Sequence, residues 1–248
     1  MFIGIGTLVN VATVVAGGTL GVLVGHRLPE RTRKVVTDGL GLVTLLIAGA
    51  SAMSITDRSW RGAVGGSAPM LIVLGAILLG GVAGSLLRLE DRLEGLGGWL
   101  QRRLTPAEGS TGRVRFIEGF VTASIIFCVG PLTILGSINE GLGNGADQLL
   151  LKSALDGFAA IAFAASFGWG VVASALAVLV IQGSLTIVGA VLGDFLPDAE
   201  LAALTTTGGL LLVGVALRLL DLKQVKVADL LPALVAAPLL TAAVAAWH

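Results

Sequence analysis

The sequence predicts an all-α fold, a polytopic membrane helix bundle of about eight transmembrane helices joined by short polar connections. Three observations lead there. Of 248 residues, 55% are hydrophobic and 13% charged, with a mean hydropathy of +0.94, whereas a soluble domain carries about 25% charge. The apolar residues come in runs of about 20, the length a helix needs to cross roughly 30 Å of hydrocarbon. Lysine and arginine are also concentrated on alternate connections. A closed barrel would need short alternating segments, and the runs here are continuous.

Taken in order, the spans are read at 5–24, 36–55, 67–87, 116–138, 149–168, 171–193, 202–220 and 228–247. The first run has no basic residue ahead of it and no convincing small-residue cleavage site, so it is expected to stay as a span. After the third span, Leu86, Leu89, Leu93, Leu96, Leu100 and Leu104 recur at helical spacing with Arg and Glu opposite them. That pattern predicts an interfacial helix over 86–104, weakened by Gly95, Gly97 and Gly98. Residues 105–114 read as a linker, which divides a single membrane domain, 1–248, into a first part (1–104) and a second (115–248). Gly130-Pro131 interrupts the fourth span, removing a backbone hydrogen bond and freeing a carbonyl.

The basic residues test this count, because cytoplasmic connections accumulate them. The odd connections hold 13: Arg27, Arg31, Arg33 and Lys34; Arg88, Arg92, Arg102, Arg103, Arg113 and Arg115; Arg218, Lys223 and Lys226. The even ones hold only Arg58, Arg61 and Lys152. Both termini are therefore expected outside. Reading 149–193 as one span would put the seventh connection on the wrong side, so it is split at Trp169-Gly170.

An internal repeat accompanies the spans. At a constant offset of 168, Gly21, Gly25, Leu28, Pro29, Thr37 and Gly41 correspond to Gly189, Gly193, Leu196, Pro197, Thr205 and Gly209. Five spans separate the first from the sixth, so the copies cross in opposite directions, with the second copy at 171–220. The connection after the first copy is basic (HRLPERTRK) and that after the second acidic (DFLPDAE). This is the pattern of an inverted-topology repeat, on which many secondary transporters are built. The 36 glycines, many at four-residue spacing, let helices approach closely and are compatible with a homo-oligomer.

Ionisable groups inside spans are costly and are the default functional candidates. Glu118 opens the fourth span and Asp156 lies about two turns into the fifth. Glu118, Thr122, Thr133 and Ser137 would form one polar stripe on a continuous helix. Each acid also has a partner within helical reach, Arg115 for Glu118 and Lys152 for Asp156. Asp38, beside the first basic connection, reads as a helix-start or ion-pair residue. Asn10 with Thr7 on the first span, and Gln182 with Ser174 and Thr186 on the sixth, add matching stripes on the repeat-related helices. The candidate ion- or solute-binding set is Glu118, Asp156, Asn10 and Gln182, with the hydroxyls of Thr122 and Ser153.

Other functions lose ground. Zero net charge gives no concentrated basic surface for nucleic acid. The lone Cys128 excludes an intramolecular disulfide and reads as a buried thiol, and His26 and His248 lie far apart, so no metal and no cofactor are expected. No phosphate-binding loop, zinc motif or Ser-His-Asp set is present, which argues against an enzyme.

The segments GTLVN, GHRLPER, EGFVTASIIFCVG with LGSINEGL, KSALDGF and QGSLT span nearly the whole chain. By them the sequence resembles the bacterial membrane-protein family catalogued as domain of unknown function 554. The resemblance implies a multi-span protein of the bacterial inner membrane, with shared residues concentrated at 118–130 and 153–158, and it names no substrate. Two functions follow as expectations: an ion or small-solute transporter, of which a channel is a variant, and a non-transporting scaffold or accessory subunit whose polar groups only hold helices together.

Overall fold

The computed structural model describes residues 2–25, 29–104, 110–128, 131–192 and 197–247. It is 87% helical, without a strand among those residues. Eleven α-helices follow in chain order: α1 (Ile5–Gly25), α2 (Glu30–Ala52), α3 (Arg58–Val64), α4 (Ala68–Leu86), α5 (Leu89–Leu104), α6 (Ser110–Cys128), α7 (Pro131–Gly141), α8 (Asp147–Phe167), α9 (Trp169–Leu192), α10 (Asp198–Leu219) and α11 (Ala233–Ala245).

Seven helical segments are long and apolar enough to cross a membrane unaided, and α6 with α7 passes the same test as a pair bent by 72°. With the pair counted as one span, these segments fall where the eight spans are expected. The bend falls at the Gly130-Pro131 interruption, of which Gly130 lies outside the described residues. Close helix contacts carry the pair along the length of α9. Gly170, at the start of α9, lies against Phe116 of α6, whereas Gly141, at the end of α7, lies against Thr186 and Ala190 near the end of α9. The pair thus follows α9 for roughly 24 Å at 1.5 Å per residue. A re-entrant loop would have come back to the start of α9.

Several boundaries differ from the sequence reading. α2 starts six residues before the expected 36, because Glu30, Arg31 and Lys34 are good helix formers that continue the helix past its apolar part. α6 already begins at Ser110, so the expected linker over 105–114 loses its second half to helix; 105–109 lie outside the described residues. Helix α5 covers the stretch expected at 86–104 from Leu89 onward, and its glycines have a use: Gly97 meets Ile117 and Phe120, and Gly98 meets Arg113. Its Trp99 stays exposed under the Arg103 guanidinium, 5.7 Å from the ring centre. The turn between α8 and α9 is made at Gly168, whose φ of +76° suits glycine.

Packing groups the chain into two compact units, each drawn from two separate stretches of sequence. One takes α1, α6, α7, α8 and α9; the other takes α2 from Gly41, α3, α4, α10 and α11. The division follows packing rather than chain order, since the small-residue faces of α1 are matched by α8 and α9, far along the sequence.

In the first unit, Gly17, Gly21 and Gly25 of α1 lie against the backbone at Gly157, Ile161 and Ala165 of α8. Equal four-residue steps on both helices make them parallel neighbours in close contact. α9 crosses α1 antiparallel, with Thr7 beside Thr186, Asn10 beside Gln182 and Gly18 beside Val172. In the second unit α10 is buried along most of its length, and Trp60 and Val64 of α3 join Ile72, Ala203 and Ala233 in its core. There Gly41 meets Leu219 and Leu220, while Gly209 meets Ala48, Ser51 and Ala52. His26, Leu28, His248 and residues 193–196, which carry parts of the repeat motif, lie outside the described residues.

Candidate functional site

The polar side chains of the first unit collect where α1, α7, α8 and α9 meet. α1 and α9 carry no charged residue, so their polar positions are amides and hydroxyls. α8 supplies the charge: Lys152 and Asp156 stand one turn apart, share a face, and form an ion pair. The neighbours of that pair are amide side chains of α1 and α9. Asn10 Nδ2 donates to Asp156 Oδ2 at 3.0 Å and to Gln182 Oε1 at 2.8 Å. Asn10, Gln182, Lys152 and Asp156 are all buried, the two amides completely.

Two atoms in this centre stay unsatisfied. Asn10 Oδ1, an acceptor, and Gln182 Nε2, a donor, are buried without a hydrogen-bond partner, an arrangement that costs about 1–3 kcal/mol per group. The interrupted span lies alongside, with both α6, which ends at Cys128, and α7 packed on α8. Across the break, Thr133 Oγ1 donates to the Phe127 carbonyl at 3.0 Å, recovering one of the bonds that the interruption removes.

Toward the start of α1 the polar contacts continue. Thr186 Oγ1 lies 3.4 Å from Thr7 Oγ1 and 3.4 Å from Glu140 Oε2, and 3.1 Å from the Gln182 carbonyl. Glu140 is buried, and its Oε1 accepts from the Gly6 amide at 2.5 Å, in the first turn of α1 where a carboxylate suits the helix dipole.

Of the residues expected from sequence, Asn10, Asp156 and Gln182 come together as one cluster. Ser153 is buried next to Lys152, but its hydroxyl turns back to the Leu149 carbonyl at 2.6 Å. Thr122 is buried within α6, and Glu118 is half-buried on the same helix. Neither belongs to this cluster: Gly119 packs on Phe167 and Val171, which puts Glu118 roughly 16 Å along α9 from Gln182 at 1.5 Å per residue. The four-residue stripe expected on a straight fourth span is divided by the bend, with Glu118 and Thr122 on one arm and Thr133 and Ser137 on the other. Arg115, the expected partner of Glu118, donates from Nε to the Ser166 carbonyl at 2.6 Å, at the C-terminal end of α8. It also lines a small cavity of about 60 Å³ with Val22, Phe116 and Trp169.

Glu140 is not among the site residues expected from sequence. It lies two residues past the expected end of the fourth span, yet Thr133, Ser137 and Glu140 share one face of α7 at helical spacing. That periodicity was the available signal.

Fold and site together define a multi-pass helical membrane protein with a buried, charged polar centre at an interrupted span. The chain belongs to the family described as "Protein of unknown function (DUF554)", whose profile matches residues 5–242. It is 31% identical over 243 residues to "Uncharacterized protein YqgA" of Escherichia coli (strain K12), covering 98% of each chain. It is 26% identical over 234 residues to "Uncharacterized membrane protein YdfK" of Bacillus subtilis (strain 168), covering 94% of this chain and 93% of that one. No solved structure matches.

Proposed function

We propose that the chain is a secondary transporter of an ion or small solute in the bacterial inner membrane, working through Asn10, Lys152, Asp156 and Gln182, and not an enzyme. One observation carries this: a buried Lys152–Asp156 pair beside an interrupted span, with a donor and an acceptor of the adjoining amides left open. Charged groups at membrane depth are expensive and mark ion or substrate paths, and broken helices at mid-depth are where such sites are built. A scaffold needs neither the charges nor the open polar atoms.

The inverted repeat is part of the same proposal. A shift of 168 turns the Gly41–Leu220 contact into the Gly209–Ala52 contact, the reciprocity that two antiparallel copies require. The same shift turns the Asn10–Gln182 pair into Val178 and Val14, both fully buried. The copies would thus have diverged into a polar and an apolar half around one helix crossing. The Lys/Arg tally puts both termini outside, and the glycine-rich faces would allow a homo-oligomer.

Flux into proteoliposomes, measured over a panel of ions and metabolites, tests the function. Wild type is expected to move at least one of them and Asp156→Asn to move none; Glu118→Gln, away from the cluster, should stay close to wild type. Absence of flux for the whole panel, or equal flux for Asp156→Asn, would overturn the proposal.

A further inference from the structure

Glu140 is the second buried carboxylate of the polar centre, and nothing in the transport reading yet uses it. The geometry points to Glu140 as a proton-accepting station on the terminal side of the Asp156 site, which makes the proton the coupling ion of the transporter proposed above and rests on that proposal.

Three observations lead to it. The first is charge. Glu140 and Asp156 are buried with one lysine, Lys152, so the ionised set carries one negative charge more than positive. A buried charge without compensation is strongly disfavoured, and one proton makes the set neutral. The neighbouring helices add little to change this. α1 and α9 bring no charged side chain, and α8 brings Lys152 and Asp156 with an exposed Asp147 at its start.

The second is connection. Thr186 lies between Glu140 and the Gln182 carbonyl, and beside Thr7, and both hydroxyls can donate and accept. Beyond them the open Asn10 Oδ1 and Gln182 Nε2 offer an acceptor and a donor to a water molecule next to Asp156. The third is direction. On the opposite side of Asp156 three aromatic rings pack together, with Phe163 6.3 Å from Phe127 and 6.4 Å from Phe167 between ring centres. Among the described residues, the polar contacts that run on from Asp156 through Asn10, Gln182 and Thr186 reach Glu140.

In this scheme the Glu140 carboxylate takes a proton from a hydronium ion at the terminal face: an O–H bond forms on Glu140 as one breaks on the hydronium, which leaves as water. The proton passes by way of the hydroxyls and the bridging water to Asp156 carboxylate, leaving Glu140 ionised again. Protonated Asp156 no longer holds the Lys152 ammonium by charge, so the ion pair is the element that the proton releases.

The experiment uses the full chain in phosphatidylethanolamine–phosphatidylglycerol vesicles with a trapped pH-sensitive dye, driven by a potassium gradient and valinomycin. Initial proton entry is read over a series of external pH values, alone and with each solute of the panel. Wild type should admit protons and Asp156→Asn should not. Glu140→Gln, which keeps an acceptor for the Gly6 amide but cannot ionise, should slow entry roughly a hundredfold, the low end of what a positioned proton-transfer group contributes, and should flatten the dependence on external pH. Thr186→Val, which cuts the connection and leaves Glu140 intact, should slow entry too, and decides the matter should Glu140→Gln fail to reach the membrane. Wild-type rates and pH dependence in Glu140→Gln, or in Thr186→Val where it stands in, would overturn the Glu140 station while leaving transport through Asp156 standing. Solute flux without proton movement, still lost in Asp156→Asn, would do the same. A wild type that moves nothing would overturn both.

Discussion

Lys152 and Asp156, one turn apart on α8, hold an ion pair almost wholly withdrawn from the surface, with side-chain exposures of 6% and 12%. Each charge is tolerated there because the other compensates it, so removing one strands its partner at a cost of about 3–5 kcal/mol. Lys152→Met is expected to be destabilised on that scale. The double variant Lys152→Met/Asp156→Asn, which buries no charge, should regain most of the loss. Thermal unfolding in detergent micelles of wild type, both single variants and the double variant measures the coupling. Additive losses would show that the two side chains act independently.

The contact between α1 and α8 depends on missing side chains. A Cβ at Gly21 would run into the Ile161 carbonyl and the Ala164 methyl, and one at Gly17 into the Gly157 carbonyl. Backbone cannot swing aside as a flexible side chain can. Gly17→Ala and Gly21→Ala should each cost about 1–3 kcal/mol, the usual range for overpacking. Gly49→Ala on α2 is the control, because nothing lies within 4 Å of its added methyl. It should be neutral or stabilising by up to about 1 kcal/mol. Melting temperatures of the three variants in one detergent separate the two cases.

The spans were legible because a bilayer imposes one length and one polarity on every crossing, so the apolar runs at α1, α4 and α8 announce themselves. The split between α8 and α9 was legible from charge alone. The partners within the bundle were not. Asn10 and Gln182 stood out as polar residues in apolar runs, and their repeat-related helices suggested a shared site, but Asp156 joins them through a fold in which α1 packs on α8. Glu140 was missed because a straight fourth span ends before it, whereas the bent one continues to Gly141. The stripe through Glu118 was not legible as it stands for the same reason: a continuous helix would have lined Glu118 up with Thr133 and Ser137, and the bend separates them.

In the second unit, Glu90 at the start of α5 ties two neighbours together. Its Oε1 accepts from Arg218 Nη1 at 2.7 Å and its Oε2 from the Ala228 amide at 2.8 Å, and its own amide donates to Asp229 Oδ1 at 2.9 Å. Glu90→Ala leaves the partly buried Arg218 without this partner and the Ala228 amide unbonded. A loss of about 3–5 kcal/mol is expected. Glu90→Gln keeps an acceptor for Ala228 and forfeits only the charge, so it should lose less. Chemical unfolding of the two variants, followed by intrinsic tryptophan fluorescence, gives the order. An equal loss in both would mean that the charge alone matters.

Topology can be read with the chain's own thiol chemistry, because Cys128 is buried and its removal leaves a cysteine-free background. In Cys128→Ala protein, cysteines are placed singly at Gly62, Asn144 and Leu222, all exposed positions on connections. If α6 and α7 form one crossing and both termini face outside, a membrane-impermeant maleimide should label Gly62→Cys and Asn144→Cys in intact cells and Leu222→Cys only after permeabilisation. The Asn144 position is decisive. Were α6 and α7 a re-entrant loop, Asn144 would return to the face on which α6 begins and be shielded in intact cells. Every later helix would then be reversed, and the connection holding Lys223 and Lys226 would face outward against the charge rule. Labelling of Asn144→Cys from outside therefore fixes the interrupted span as a true crossing, with Lys152 and Asp156 at depth beside its break.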